Sequence, residues 1–235
     1  MFGLENKIVV ITGGSRGIGL ATAKEFMSCG ARVMILHIDD SKKIDTATKD
    51  IICDVSDEAQ VKIAIDSIIA EFGHIDILVN DAGIAIDKDF DSRSVADWQE
   101  TLNTNLIGTF LVSKYTTPHI PAGGAIVNLS STNGNTIFNP LSIDYDSSKA
   151  GIVALTKNLA IQFAPNIRVN AVMPGMINTD LNKDAGPEII NAELDGCLLK
   201  RMGEPDEVAQ AVVFLCSDHA SYINGTTLII DGGRL

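Results

Sequence analysis

Tyr145 and Lys149 stand four residues apart in the run Tyr-Asp-Ser-Ser-Lys. On a helix that spacing stacks the two side chains one turn apart on one face, a phenol beside an ammonium. A free tyrosine titrates near pKa ~10, and a neighbouring cation favours its phenolate. The phenol is then able to give up or take back a proton nearer neutral pH, which is the work of a general acid or base. Most Tyr and Lys pairs at this spacing are surface pairs, so the reading needs something elsewhere in the chain for the proton to serve. A glycine-rich nucleotide loop near the N-terminus supplies it.

Residues 7–12, Lys-Ile-Val-Val-Ile-Thr, form a β-branched apolar run that stops at glycines. Residues 18–29 then carry helical spacing, with Ile18, Ala21, Ala23, Phe26 and Met27 among polar neighbours. Thr12-Gly13-Gly14-Ser15-Arg16-Gly17-Ile18-Gly19 therefore occupies a strand-to-helix turn, the context a dinucleotide fingerprint requires. A tight turn, a close backbone approach and free N–H groups at the helix start would meet a pyrophosphate there. The spacing is G-x-x-x-G-x-G and not G-x-G-x-x-G, which argues against the common two-domain dehydrogenases.

The elements that must position these groups alternate along the chain. Strand-like runs recur at 7–12, 32–37, 50–53, 75–79, 124–129, 167–173 and 227–230, and helical patterns at 18–29, 57–72, 95–117, 143–164 and 205–217. This alternation predicts an α/β fold, a single-domain Rossmann-type doubly wound parallel sheet of about seven strands with helices on both faces, spanning 1–235. Asp39 to Lys49 is charged and lacks an apolar stripe, so it is expected to be a loop or a single turn. Ligands bind beyond the carboxyl ends of strands in such sheets, which should bring Gly13, His37, Asp54, Asn80, Ser131 and Pro174 to one crevice.

The net charge of −12 and the low aromatic content argue against a nucleic-acid partner, which would call for clustered Lys and Arg. Cys29, Cys53, Cys197 and Cys216 lie singly in or beside apolar segments, with no C-x-x-C, and read as reduced, buried thiols, neither disulfides nor metal ligands. No apolar run approaches ~18 residues and the N-terminus has no leader pattern. A soluble cytoplasmic protein without a membrane partner or a metal is expected.

Thr12 to Gly19, Asn80-Asp81-Ala82-Gly83, Asn105, Ser130-Ser131, Tyr145 to Lys149 and Pro174-Gly175 occur in the order and approximate spacing of the short-chain dehydrogenase/reductases. The chain resembles that family from Lys7 to Gly233. The resemblance implies an NAD(P)-dependent oxidoreductase that moves a hydride between nicotinamide and a carbinol or carbonyl carbon. It makes Tyr145 the acid or base. Lys149, with the oxidised nicotinamide, would lower the tyrosine pKa and hold the nicotinamide ribose. Ser131 would bond the substrate oxygen, with Ser130 as its rival. Ser131 is favoured because Gly134 follows it by three residues, although the gap to Tyr145 is one residue longer than usual and the loop must bulge. Asn105 resembles the asparagine that holds a relay water.

For the cofactor the resemblance implies contacts from Gly13, Ser15, Arg16, Gly17, Ile18 and Gly19, from Asp54 and Val55 at adenine, from Asn80, Ala82 and Gly83 at the adenosine ribose, and from Pro174, Gly175, Ile177 and Thr179 at the carboxamide and pyrophosphate. Asp54 or Ser56 could equally cap the helix at 57. Asp81 stands where the family usually has a second Asn. His37 occupies the position that usually holds Asp for NAD, and Asp39 follows two residues later. A carboxylate at Asp39 would favour NAD, whereas Arg16 with a protonated His37 would bind the extra phosphate of NADP, so the reading leans to NAD only slightly.

Segments 84–94, 132–144 and 176–200 should wall a substrate pocket, the last as a lid hinged at Asn182 to Pro187 with a short apolar helix through Leu199. Asn133, Asn135, Asn139 and Asn182 suit a sugar, polyol or hydroxyketone. Family ketoreductases acting on acyl carrier proteins carry arginines where this chain has Pro121-Ala122-Gly123-Gly124 and Gln162-Phe163-Ala164-Pro165-Asn166, so free small molecules rank above acyl carriers. A dinucleotide-sensing regulator and a structural subunit are the remaining alternatives. Residues 148–164 are apolar nearly all round, which predicts burial on both sides in a homo-oligomer, a tetramer before a dimer.

Overall fold

A computed structural model describes residues 2–39, 48–182 and 186–234. Among them the strands β1 (Ile8–Thr12), β2 (Arg32–His37), β3 (Lys49–Ile52), β4 (Ile77–Asn80), β5 (Gly124–Leu129), β6 (Ile167–Pro174) and β7 (Thr227–Ile230) form one parallel sheet. Its order is β3-β2-β1-β4-β5-β6-β7. The helices are α1 (Gly17–Ser28), α2 (Glu58–Phe72), α3 (Val95–Leu102), α4 (Gly108–Thr116), α5 (Ile143–Phe163), α6 (Pro187–Gly196) and α7 (Pro205–Cys216). The expected doubly wound Rossmann-type sheet is present.

Alternation along the strands explains the two layers, because successive side chains point to opposite faces. Val9 and Ile11 meet Ala23 and Phe26 of α1 and Val208 and Val212 of α7 on one side. Ile8 and Val10 meet Val61, Ile65 and Ile68 of α2, Leu111 and Val112 of α4 and Leu159 of α5 on the other. Central strands covered on both faces need continuous apolar runs, and β1 and β4 are buried at every residue. The chain runs β1 to β3 outward in one direction and then crosses back to β4, so the strand order reverses between β1 and β4. A crevice opens at such a reversal.

Three local expectations change. The helical pattern over 95–117 is interrupted by a π-helical turn at Asn103–Ile107, which inserts between α3 and α4 and holds Asn105 fully buried. The cap of α2 is Asp57, not Asp54 or Ser56: its carboxylate accepts from the N–H groups of Ala59 and Gln60. The lid helix α6 ends at Gly196, short of Leu199, because the N–H groups of Leu198 and Leu199 pair with the carbonyls of Gly233 and Gly232. The α6 sequence is also more polar than an apolar flap. Residues 40–47, most of the expected loop, and Lys183, Asp184 and Ala185 of the expected hinge lie outside the described residues.

Candidate active site

The glycine loop is shaped by close approach. Gly13 has φ 71°, and a β-carbon there would lie 2.9 Å from both Cα and N of Ala82. Thr12 secures that contact, its Oγ1 accepting from the N–H groups of Asp81 and Ala82. Gly17, φ 54°, faces Thr179, whose Cγ2 would be 3.5 Å from an added β-carbon. The segment after β6 thus reaches the start of α1. Arg16 is the N-cap of α1 yet makes no side-chain cap, and the first turn holds no acidic residue. The N–H groups at this helix start suit an anion, so the residues present fit a dinucleotide. Ser15 and Ile18 are half-buried in the same turn.

Asn80 is buried with its amide turned inward, donating to Ser113 Oγ and to Asn128 Oδ1 at 2.8 Å. Asn128 continues the chain to Thr156 Oγ1 of α5. Asn80 therefore fixes the strand end mechanically, its amide turned away from the crevice. A β-carbon on Gly83 would lie 3.3 Å from Asn105 Oδ1 and 3.4 Å from Lys149 Nζ, so that glycine borders both side chains directly.

Lys149 Nζ donates to the Leu129 carbonyl at 2.8 Å and stands 5.5 Å from the centroid of the Tyr145 ring. Tyr145 and Ser131 share a hydrogen bond. Ser130 instead donates from Oγ to the Lys149 carbonyl at 2.8 Å, which separates the two rivals by geometry: Ser131 faces the phenol and Ser130 holds the helix. The longer loop between Ser131 and Tyr145 folds onto α5. Gly134, φ 90°, lies so close to the Asp146 carbonyl that a β-carbon would be 2.2 Å away, and the Asp146 carboxylate accepts from Asn133 Nδ2 and the Asn139 N–H.

Asn105 Oδ1 accepts from the Ile84 N–H, and its Nδ2 donates to the Ile84 carbonyl and to Ser148 Oγ. The π-turn thus clamps the 84–94 segment onto α5. Pro174 accepts from the Thr132 N–H, Gly175 donates to Ile230, and Ile177 is tied by Asn182 Nδ2 to its carbonyl. Asp54 Oδ1 accepts from both N–H and Oγ of Ser56, beside buried Val55.

Burial pushes the Tyr145 phenol up to about 12, the Ser131 hydrogen bond opposes that shift, and Asp146 and Asp81 add to it. Enclosure by low-dielectric surroundings costs the phenolate more than the Ser131 hydrogen bond returns. Burial likewise pushes Lys149 down to about 8, against the pull of Asp81. His37 is packed at the strand end, its Nε2 against Asp50 Oδ1, so it faces a neighbouring strand and not an approaching phosphate. Asp39 lies half-buried just past β2.

Two participants were not legible beforehand. Arg93 and Asp144 form an ion pair at 2.6 Å with side chains only 1% and 0% exposed. Arg93 also donates to the carbonyls of Ile86, Lys88 and Leu141, and Thr101 donates to Asp144. One guanidinium thus joins both walls of the expected substrate pocket to the first turn of α5. Their separation of 51 positions leaves no local signal. The asparagines expected at the substrate are occupied otherwise: Asn133 binds Asp146, Asn139 binds Ser142 and Leu141, and Asn135 contacts Met173.

Comparison with known proteins gives a consistent answer. A family model described as enoyl-(acyl carrier protein) reductase matches residues 13–234. The 3-oxoacyl-[acyl-carrier-protein] reductase FabG of Thermotoga maritima is 37% identical over 244 residues, covering 98% of each chain. The ligand-free aldohexose dehydrogenase of Thermoplasma acidophilum superposes with TM-score 0.91 at 37% identity, covering 98% of this chain and 94% of its own. A short-chain dehydrogenase of Burkholderia cenocepacia, solved with NADP, superposes with TM-score 0.91 at 34% identity, covering 98% of each chain.

Proposed function

The chain belongs to the short-chain dehydrogenase/reductase family of oxidoreductases, and we propose that it interconverts a secondary alcohol and a ketone, or a sugar and its lactone, on a free small molecule. The observation that carries this reading is the joining of Ser131, Tyr145 and Lys149 at the strand-order reversal, beside an uncapped helix start. A bound nicotinamide supplies or accepts the hydride. Tyr145 donates its phenolic proton to the carbonyl oxygen in reduction and recovers it in oxidation. Ser131 bonds the same oxygen and fixes its angle, and Lys149 orders the ribose while Asn105 holds the wall at Ile84.

The slight lean to NAD gains no support from the relatives, since the Burkholderia structure holds NADP. Arg16, exposed at the loop, is the residue available to a 2′-phosphate. Likeness to aldohexose dehydrogenase supports a sugar or polyol, a reading the inward-turned asparagines no longer carry. A second reading, reduction of a 3-oxoacyl thioester, is favoured by the extent of the FabG match. Against it, the stretches Pro121–Gly124 and Gln162–Asn166 offer an acidic carrier protein no cation.

Fluorescence titration with NADH and NADPH, followed by absorbance assays on sugars, polyols, hydroxyketones and acetoacetyl thioesters, tests both. Tight binding of one nucleotide with turnover of a sugar or polyol is the expected result. Turnover confined to the thioester would replace the first reading with the second, and no binding would remove both.

Assembly is part of the proposal. The outer side of α5 carries Ala150, Ala154 and Ile161, the last 79% exposed, and Phe110 of α4 and Leu228 and Ile229 of β7 are exposed as well. On α5 they are interspersed with exposed Lys157, Asn158 and Gln162, and we infer a tetramer built through the mixed face of α5 and the edge at β7. Light scattering should return four chains per particle, and a monomer at micromolar concentration would refute it.

A further inference from the structure

Asp81 is a half-buried acid at the catalytic crevice that the mechanism above does not use. Its carboxylate accepts the N–H of Gly19, in the first turn of α1. A β-carbon built on Gly19 would lie 2.5 Å from Asp81 Oδ2 and 2.6 Å from the Gly13 carbonyl oxygen, so two oxygens crowd that glycine. An asparagine at position 81 would place a donor among them. An ionised aspartate places none, whereas a protonated aspartate restores one. The carboxylate also lies within the electrostatic reach of Lys149, and it draws on an N–H of the same helix start that a pyrophosphate would use.

We propose that Asp81 sets the charge of the dinucleotide site, so that binding of the cofactor is coupled to uptake of one proton by its carboxylate. This rests on the dinucleotide reading above. Ionised Asp81 interacts electrostatically with Lys149 and competes with the pyrophosphate for the start of α1. Neutral Asp81 holds the loop as an amide would and presents no opposing charge. The proton comes from solvent, and no bond to the cofactor changes.

Burial pushes the Asp81 carboxyl up to about 7, opposed by Lys149 and by the Gly19 N–H, so the group titrates where the effect is measurable. Among the described residues, the other charged or titratable groups acting in the crevice are Tyr145, Asp146 and Lys149, all on α5, with Arg16 at the loop. At the edge of the sheet His37 faces Asp50. Because the bound anion favours the neutral form, affinity is fully present below about 7 and weakens as pH rises, by at most about tenfold per pH unit for one proton.

The experiment is titration of NADH and NADPH at several pH values between about 6 and about 9, with calorimetry in two buffers of different ionisation enthalpy to count protons. Wild-type protein should lose affinity with pH and take up close to one proton above about 7. Asp81→Asn should bind about tenfold more tightly than wild type at a pH one unit above that value and equally below it. Lys149 also titrates in this window, so Lys149→Met supplies the control. The slope should persist in Lys149→Met, displaced to higher pH because the cation no longer holds the Asp81 carboxyl down, and vanish when Asp81→Asn is added. Loss of the slope in Lys149→Met alone, no proton uptake, or an Asp81→Asn protein no tighter than wild type would overturn the proposal while leaving dinucleotide binding intact. Failure of either nucleotide to bind at any pH would overturn the underlying reading as well.

Discussion

Phenylalanine at Tyr145 is expected to lower turnover by about 10²–10⁴-fold, the usual contribution of a positioned general acid, while dinucleotide affinity changes little. The ring is retained, so its packing and its position 5.5 Å from the Lys149 ammonium survive, and only the transferable proton is lost. The pH dependence follows from the phenol's surroundings. Burial holds it protonated across the neutral range, with its titration pushed up to about 12. The protonated form is the acid that reduction needs, so the reduction rate should owe no loss to Tyr145 through neutral pH. Oxidation needs the phenolate, so its kcat/KM should rise toward alkaline pH. The Ser131 hydrogen bond lowers the phenol's pKa, and Ser131→Ala should therefore move that rise to higher pH as well as slow the reaction. Full turnover in Tyr145→Phe, in either direction, would rule out the assigned role.

Loss of Arg93 should be the most damaging single change to stability. Removing one member of a buried ion pair strands the other charge and costs about 3–5 kcal/mol. For a chain of this size that corresponds to roughly 6–20 °C in Tm. The pair is 1% and 0% exposed, and the guanidinium additionally serves three carbonyls in the 84–94 and 132–142 segments. Arg93→Met and Asp144→Asn should each show this loss in a thermal melt. The double variant should lose less than the two losses added, because neither charge is then left alone. An Arg93→Met protein that melts within a degree or two of wild type would show that the pair is not coupled to the core. The same linkage predicts a kinetic effect, since Asp144 immediately precedes Tyr145.

Much of the fold was readable because its signals are local. Fully covered parallel strands must be continuous apolar runs, and β1, β2, β5 and β6 announced themselves to within about one residue at each end. The order of motifs likewise placed Ser131, Tyr145 and Lys149 together, through the resemblance to the short-chain dehydrogenase/reductases. The π-turn at Asn103–Ile107 escaped, because a single inserted residue in a strongly apolar helix hardly alters its periodicity. The end of α6 escaped for another reason: Leu198 and Leu199 leave the helix to pair with Gly232 and Gly233, partners more than thirty positions away.

The sequence by itself determined the alternation of strands and helices, the strand-to-helix glycine turn and the pairing of a phenol with an ammonium one helical turn apart. These depend on period, spacing and residue type, which are properties of short stretches of chain. Only the tertiary structure decided that Ser130 turns to the Lys149 carbonyl, that Asn80 and His37 face inward, and that Asp81 confronts Gly19 and Lys149. It also decided that burial outweighs the Ser131 hydrogen bond at Tyr145, because that competition is settled by how completely the group is enclosed. Enclosure is contributed by residues from every element around the crevice, and no local stretch of sequence records it.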